Sequence, residues 1–346
     1  MSVEIQHFRW LRENRARYNL GSSGVKPFTL QEIEKMGEPG NIVDSLVSIY
    51  GVERRNILIT HGTQEGNFVI LSALKDRVNR VITVLPEYEP IRVLPNFLGL
   101  NRIEISIAGG FDAIYEVLRR GDALFLSNPN NPLGVYLGVK ELIELSQEAV
   151  GRGFYVVLDS IFLEFVMRDL RNLPLDHIIY TSSTSKFYTT DKFKIGWAVG
   201  DEEVLKRAGG ILDLVSPGPV DLEAELASIL LNHRDFVRER NLGIIRPNIE
   251  TLRGALNQVR DWVDLLYSEH MPIAYLRIKC GKTTGTALAR ELLKQDVLVV
   301  PGQYFAKDDG VRVGLATMDK EQFKQATEII INTVNKQCTQ NTNQRT

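Results

Sequence analysis

Short β-type runs, several of them unbroken apolar, alternate with helical stretches through the middle of the chain, and this alternation restricts the fold more than any other feature. The runs fall at 56–60, 80–84, 122–127, 154–159, 177–182 and 195–200, with helical patterns at 64–75, 111–119 and 139–150 between several of them. Strands apolar along their whole length are expected where helices cover both faces of a sheet, so the pattern predicts an α/β fold with a mostly parallel sheet. After Pro217 the texture changes to two long helical segments, 221–232 and 235–258. A smaller α/β unit follows, with strands near 274–279, 297–300 and 311–315 and helices near 285–295 and 319–335. The expected organisation is a large domain over 28–232 and a small domain built from 1–27 and 233–336. The polar, aperiodic stretch 337–346 is expected to be a disordered tail.

Composition narrows the functional classes. The 346 residues carry 41 Lys and Arg against 43 Asp and Glu, a net charge of −2, which argues against a dedicated nucleic-acid binder. The longest apolar stretch, 154–166, is interrupted by Asp159 and Glu164 and falls short of the roughly 20 residues that span a bilayer. The first residues show no apolar segment followed by a small-residue cleavage site, so a cytoplasmic location is expected. Two cysteines, Cys280 and Cys338, exclude a disulfide scaffold and a Cys-rich metal cluster. The five histidines, at 7, 61, 177, 233 and 270, have no metal-ligand spacing, and no metal site is expected.

Two glycine-bearing strings are set aside. Gly151-Arg152-Gly153 precedes a strand rather than following one, so it is expected to end a helix. Gly281-Lys282-Thr283 lies between a strand and a helix, but a phosphate loop needs a glycine five residues earlier, where Leu276 stands. The arginines at 9, 12, 15 and 17 are mixed with Phe8, Trp10 and Leu11, which suits a helix packed on the small domain or on a second subunit.

Three segments at the carboxyl ends of predicted strands carry the chemistry, at the edge where open α/β sheets place their ligands. They are SNPNNPLG at 127–134, VVLDSIFLEF at 157–166 and SSTSKFYTTDKFKIGW at 182–197. Turn preference explains the prolines and glycine of the first, but not Asn130 and Asn131 together. Asp159 ends a hydrophobic strand, where a buried carboxylate needs a cation or several donors. Lys186 follows a strand within a run of hydroxyl residues.

Together, in this order and with VRVG at 311–314, these segments resemble the class I/II aminotransferases, pyridoxal-phosphate enzymes of fold type I. The resemblance extends from about residue 18 to residue 335. It implies a large domain with a mostly parallel seven-stranded sheet covered by helices, a smaller α/β C-terminal domain, and the cofactor pyridoxal 5'-phosphate. It further implies that Lys186 holds the cofactor covalently and moves the proton, and that Asp159 keeps the ring nitrogen protonated. Asn131 would donate to the ring's phenolic oxygen, and Tyr88, in LPEYEP at 85–90, would stack on the ring. The amides of Thr63 and Gln64, in HGTQEGN at 61–67, would face the phosphate with a helix dipole behind them. Ser183 and Ser185 match the hydroxyls flanking the cofactor lysine. Arg312 would grip the substrate α-carboxylate as a planar fork, with Gly24 of SSGVKP (22–27) and Asn131 also expected at the substrate.

Two departures from the family's pattern stand out. The arginine usual eight residues after the lysine is Lys194, a point charge without the bidentate fork, with Lys192 nearby. The tyrosine usual three residues after the aspartate is Phe162. The expected reaction is amino transfer between an α-amino acid and a 2-oxo acid in a homodimer, with no nucleic-acid or membrane partner. Decarboxylation or β-elimination with the same cofactor is the alternative, and a non-catalytic cofactor-binding regulator a more remote one.

Overall fold

The structure, a computed structural model, describes residues 3–106, 112–190 and 192–339. They divide into two compact units, one holding 3–26, 131–135 and 239–339 and the other 27–130 and 136–238. Numbered from the N-terminus, β1 (Tyr18–Asn19) lies in the first of these. The second contains β2 (Ile57–Thr60), β3 (Arg80–Leu85), β4 (Asn101–Ser106), β5 (Asp122–Ser127), β6 (Tyr155–Asp159), β7 (Ile178–Ser183) and β8 (Gly196–Gly200).

These seven strands form one sheet in the order β2-β8-β7-β6-β5-β3-β4. Strands β3 to β7 run parallel, and β8 is antiparallel to both β7 and β2. Strands β5, β7 and β8 are buried along their whole length, and the polar residues at the carboxyl ends of β5 and β7 are buried with them. Ile70, Leu71 and Leu74 of the helix Thr63–Leu74 pack with Phe125, Val157, Ile179 and Ala198 of the sheet in the main core. Six of the strands stand where the apolar runs predict them. The seventh, β4, is not among those runs: its sequence NRIEIS alternates polar and apolar residues at a half-exposed sheet edge, which leaves no apolar run to read. The helices Glu89–Phe97 and Glu202–Val215 also have no counterpart among the helical patterns of the sequence. The helix expected over 111–119 is observed as Asp112–Val117; residue 111 lies outside the described residues.

From β3 the chain moves outward to β4, then returns to β5 on the other side of β3 and continues through β6 and β7. This reversal is the switch point of an open α/β sheet, where a crevice opens beyond the carboxyl ends of the strands. The segments after β3, β5, β6 and β7 therefore converge on one edge. Gly153, with φ +74°, ends the helix Val139–Arg152 as its position predicts.

In the smaller unit, β9 (Val263–Leu266), β10 (Ile273–Ile278), β12 (Val300–Pro301) and β13 (Gly310–Gly314) form an antiparallel sheet in the order β12-β13-β10-β9. The two-residue strand β11 (Val297–Leu298) pairs in parallel with β1. The basic N-terminal segment is the helix Gln6–Glu13, anchored on this unit by Trp10, whose Nε1 donates to the Val299 carbonyl at 2.9 Å. The final helix, Lys320–Thr339, runs further than expected, so 337–339, assigned from composition to a tail, are helical. In its last turn Cys338 is fully buried and disulfide-bonded to Cys280 with a Cα–Cα distance of 5.8 Å. Residues 340–346 of the expected tail lie outside the described residues.

Candidate active site

Three side chains form a row across the carboxyl ends of adjacent parallel strands. Ser127 of β5 pairs in register with Asp159 of β6, and Asp159 with Thr181 of β7. Asp159 is only 4% exposed. Its Oδ2 accepts from Asn67 Nδ2 at 2.9 Å and its Oδ1 from the Ile161 amide at 3.3 Å. Burial pushes its pKa up to about 6, opposed by the Asn67 hydrogen bond, the Ile161 amide and the positive charge of Lys186. Lys186 lies three residues beyond β7 and is half-buried. The hydroxyls of Ser183 and Ser185 meet at 2.9 Å beside it. The sheet thus brings an amine and a buried carboxylate into one electrostatic field at the carboxyl ends of β6 and β7.

Tyr88 follows β3 at the mouth of the helix Glu89–Phe97, half-buried against the core of the sheet. Beside it, Glu87 is fully buried. Its Oε1 accepts from the Tyr88 amide at 2.6 Å and the Ser127 hydroxyl at 2.5 Å, and its Oε2 from the Ser127 amide at 2.8 Å. Burial pushes this carboxyl up to about 8; those three hydrogen bonds oppose the shift and the charge of Asp159 adds to it. Asn130 Nδ2 donates to the Pro86 carbonyl at 3.0 Å, a further tie between the segments after β3 and β5.

The opening of the helix Thr63–Leu74 is built to receive an anion. Its N-cap is Gly62, which supplies no side-chain cap, so the first amides, Thr63 and Gln64, face outward with the helix dipole behind them. The Thr63 hydroxyl is buried and has no hydrogen-bond partner among the described residues. Gly62 has φ +91°, and a Cβ there would stand 2.7 Å from Cδ of Lys194. The stem of Lys194 therefore lies across Gly62, at the open end of the helix; Lys192 and Lys194 are both exposed. Gly196 supports the same turn, since a Cβ on it would lie 2.5 Å from the backbone of Gly62.

Phe162 is 1% exposed and packs 6.3 Å from the ring of Phe165. Tyr188 directs its hydroxyl to Glu164 Oε2 at 2.8 Å, a carboxylate that also pairs with Arg234.

The smaller unit carries the remaining expected residues. Arg312 on β13 is 1% exposed, donates from Nη1 to Asn131 Oδ1 at 2.9 Å and from Nη2 to the Gly21 carbonyl at 2.8 Å, and lies over the Phe305 ring. The Gly24 amide donates to Ser22 Oγ at 3.2 Å, and Val25 bridges to Ala316.

Reading the sequence missed Asn67, Thr181 and Glu87. Asn67 had a signal: it shares a helix face with Ile70, Leu71 and Leu74, where a polar residue needs a buried partner. Glu87 is a charge between an apolar strand and an aromatic residue. Thr181 has no such mark, because threonine is ordinary in strands.

Among the described residues, no cluster of His, Cys, Asp or Glu could hold a metal ion, and no helix is long and apolar enough to cross a membrane. Residues 44–330 match the family described as aminotransferase class I and II, and the chain belongs to that family. It is similar to histidinol-phosphate aminotransferase 2 of Carboxydothermus hydrogenoformans, 28% identical over 292 residues, covering 79% of this chain and 76% of the relative. Its fold resembles the PLP-dependent cyclase OrfR, with a TM-score of 0.85 and 20% identity over 96% of this chain and 98% of the other. It also resembles a PLP-dependent aminotransferase from Streptococcus suis, with a TM-score of 0.84 and 21% identity over 97% and 98% of the two chains. The protein is thus a pyridoxal-phosphate-dependent transaminase of fold type I. The residues present fit that cofactor: an uncapped helix end with an unpartnered buried hydroxyl suits its phosphate, and a buried carboxylate suits a protonated ring nitrogen.

Proposed function

We propose that the enzyme moves the amino group of an α-amino acid to a 2-oxo acid, with Lys186 as the cofactor-bearing and proton-moving residue. The observation that carries this reading is the buried Asp159 within the field of Lys186 at the carboxyl ends of β6 and β7. Pyridoxal phosphate supplies an electron sink for the negative charge that forms at the substrate α-carbon. Lys186 Nζ takes and returns the α-proton. Asp159 offers a negative charge to the ring nitrogen, and its burial strengthens that charge by excluding water. Tyr88 offers its ring as a stacking face. The amides of Thr63 and Gln64, the Thr63 hydroxyl and the Lys194 ammonium hold the phosphate, with Ser183 and Ser185 beside the lysine. Arg312, with Gly24 and Asn131, binds the substrate α-carboxylate, and Asn131 also donates to the ring's phenolic oxygen.

The homodimeric state follows the family resemblance. A cytoplasmic location fits the same reading, and a reducing cytoplasm would hold Cys280 and Cys338 as two thiols. A second reading, decarboxylation or elimination with the same cofactor, is favoured by Phe162, which lacks the hydroxyl usual at its position.

Borohydride reduction of the loaded enzyme followed by peptide mapping tests the assignment, with the adduct expected on Lys186; an adduct on Lys192 or Lys194 overturns it. Mixing the loaded enzyme with single amino acids and no 2-oxo acid separates the reactions. Amino transfer shifts the visible absorbance of the cofactor to that of its amine form. Release of carbon dioxide, or of ammonia with pyruvate, marks the second reading.

A further inference from the structure

Asp159 is held by a chain of fully buried hydrogen bonds from a helix on one face of the sheet. Thr181 Oγ1 donates to Asn67 Oδ1 at 2.6 Å, and Asn67 Nδ2 donates to Asp159 Oδ2 at 2.9 Å. The three side chains are 0%, 1% and 4% exposed. The amide orientation has a physical cause. An ionised carboxylate only accepts, so the opposite amide orientation would set Oδ1 of Asn67 against Oδ2 of Asp159. The carboxylate sets this orientation, and the Thr181 hydroxyl supports it by donating to the other end of the same amide, with the Leu158 carbonyl as a second acceptor at 3.3 Å.

We propose that Asn67, held by Thr181, is a positioning residue that keeps Asp159 ionised and fixes which of its oxygens is left for the cofactor's ring nitrogen. Oδ2 is occupied by the amide, and Oδ1 carries only the longer bond from the Ile161 backbone. A carboxylate with both oxygens unrestrained could rotate about χ2 and share its charge between two directions. With Asn67 in place the carboxylate plane is set before any ligand arrives, the kind of preorganisation that loses least on binding. Among the interactions that favour ionised Asp159, the Asn67 hydrogen bond is the largest. The family resemblance places Asp159 at the ring but says nothing of residue 67.

The inference rests on the assignment of Asp159 and Lys186 above, and the test keeps the two apart. Asn67→Leu removes the donor at similar volume, and Thr181→Val removes only the supporting hydroxyl. Both variants are first reduced with borohydride and mapped; an adduct on Lys186 shows that the site still loads. Loss of the adduct from the unsubstituted enzyme would count against the functional assignment instead. For Asn67→Leu, kcat should fall on the order of 10- to 100-fold, the value of one hydrogen bond to a charged group, with KM for the amino acid changed less than about 3-fold. The pH dependence of the bound cofactor's visible absorbance should shift, and Thr181→Val should move both readouts the same way by a smaller amount. In an Asp159→Asn background, Asn67→Leu should add less than about 2-fold, because its target charge is gone. A folded, loaded Asn67→Leu enzyme with unchanged kcat and absorbance titration overturns the proposal. So does a full effect that persists in the Asp159→Asn background. If Asn67→Leu does not fold, Thr181→Val decides the matter alone, and an unchanged titration in that variant refutes the role.

Discussion

Arg312 and Asn131 stand 181 positions apart in the sequence and share a 2.9 Å hydrogen bond from guanidinium Nη1 to amide Oδ1. The second terminal nitrogen of Arg312 is held by the Gly21 carbonyl at 2.8 Å, and the planar group lies 5.2 Å from the centre of the Phe305 ring. A guanidinium with two directed bonds and an aromatic floor has its plane fixed before a carboxylate binds, which limits the entropy lost on binding. The same geometry ties Asn131, the residue of the Asn-Pro segment expected at the cofactor, to the residue expected at the substrate.

Arg312→Lys should therefore lower kcat/KM for amino acids about 10²-fold, since an ammonium cannot reach both partners and still present a fork. Amines without a carboxylate should lose much less. Steady-state kinetics on an amino acid and its decarboxylated amine check this, and equal losses for the two would remove Arg312 from carboxylate binding.

Glu87 should make the cofactor-free protein lose stability as pH rises. Its carboxyl titrates near 4.5 when unfolded and about 8 when buried in the fold, so the folded state favours the protonated form. That contribution is fully present below about pH 4.5 and is lost as pH rises through about 8, amounting to a few kcal/mol at most. Glu87→Gln cannot ionise and should flatten the pH dependence over this window. Urea denaturation at several pH values reads the slope directly; an identical slope in the variant would show that Glu87 is ionised at no cost.

The Cys280–Cys338 bond closes a sequence separation of 58 residues and pins the last helix to the end of β10. Loop closure of this length predicts a loss of about 4 kcal/mol when either cysteine becomes serine. Thermal melts with and without a reductant should show the oxidised protein losing the same stability on reduction, and the Cys280→Ser and Cys338→Ser variants should be insensitive to reductant. Equal melting of the oxidised protein and both variants would mean that the bond contributes nothing.

Much of this architecture is legible in local patterns of the amino-acid sequence. Short β-type runs mark six of the seven large-sheet strands, several of them unbroken apolar because buried parallel strands need both faces apolar. Edge strand β4 escapes, because its one covered face leaves an alternating pattern too short to stand out. Asp159, Lys186 and the Asn-Pro segment stand out in the sequence as polar features at or shortly after the ends of strands: Asp159 ends β6, the Asn-Pro segment follows β5, and Lys186 lies three residues past β7. The end of the final helix is not legible, since composition shows polarity but not the partner that Cys338 finds in Cys280.

What the sequence determined by itself is the class of fold and the positions of six large-sheet strands, which follow from local patterns of apolar and polar side chains. What only the tertiary structure decided is which groups meet. Asn67 reaches Asp159 across 92 positions and Thr181 across 114, and Glu87 meets Ser127 across 40. Those distances close only because the reversal of strand order at β3 and β5 brings strand ends and a helix start to one edge, and burial there makes each hydrogen bond costly to leave unmade. The environment that sets the charge of a carboxylate is a property of that shared edge, and no single segment of the chain contains it.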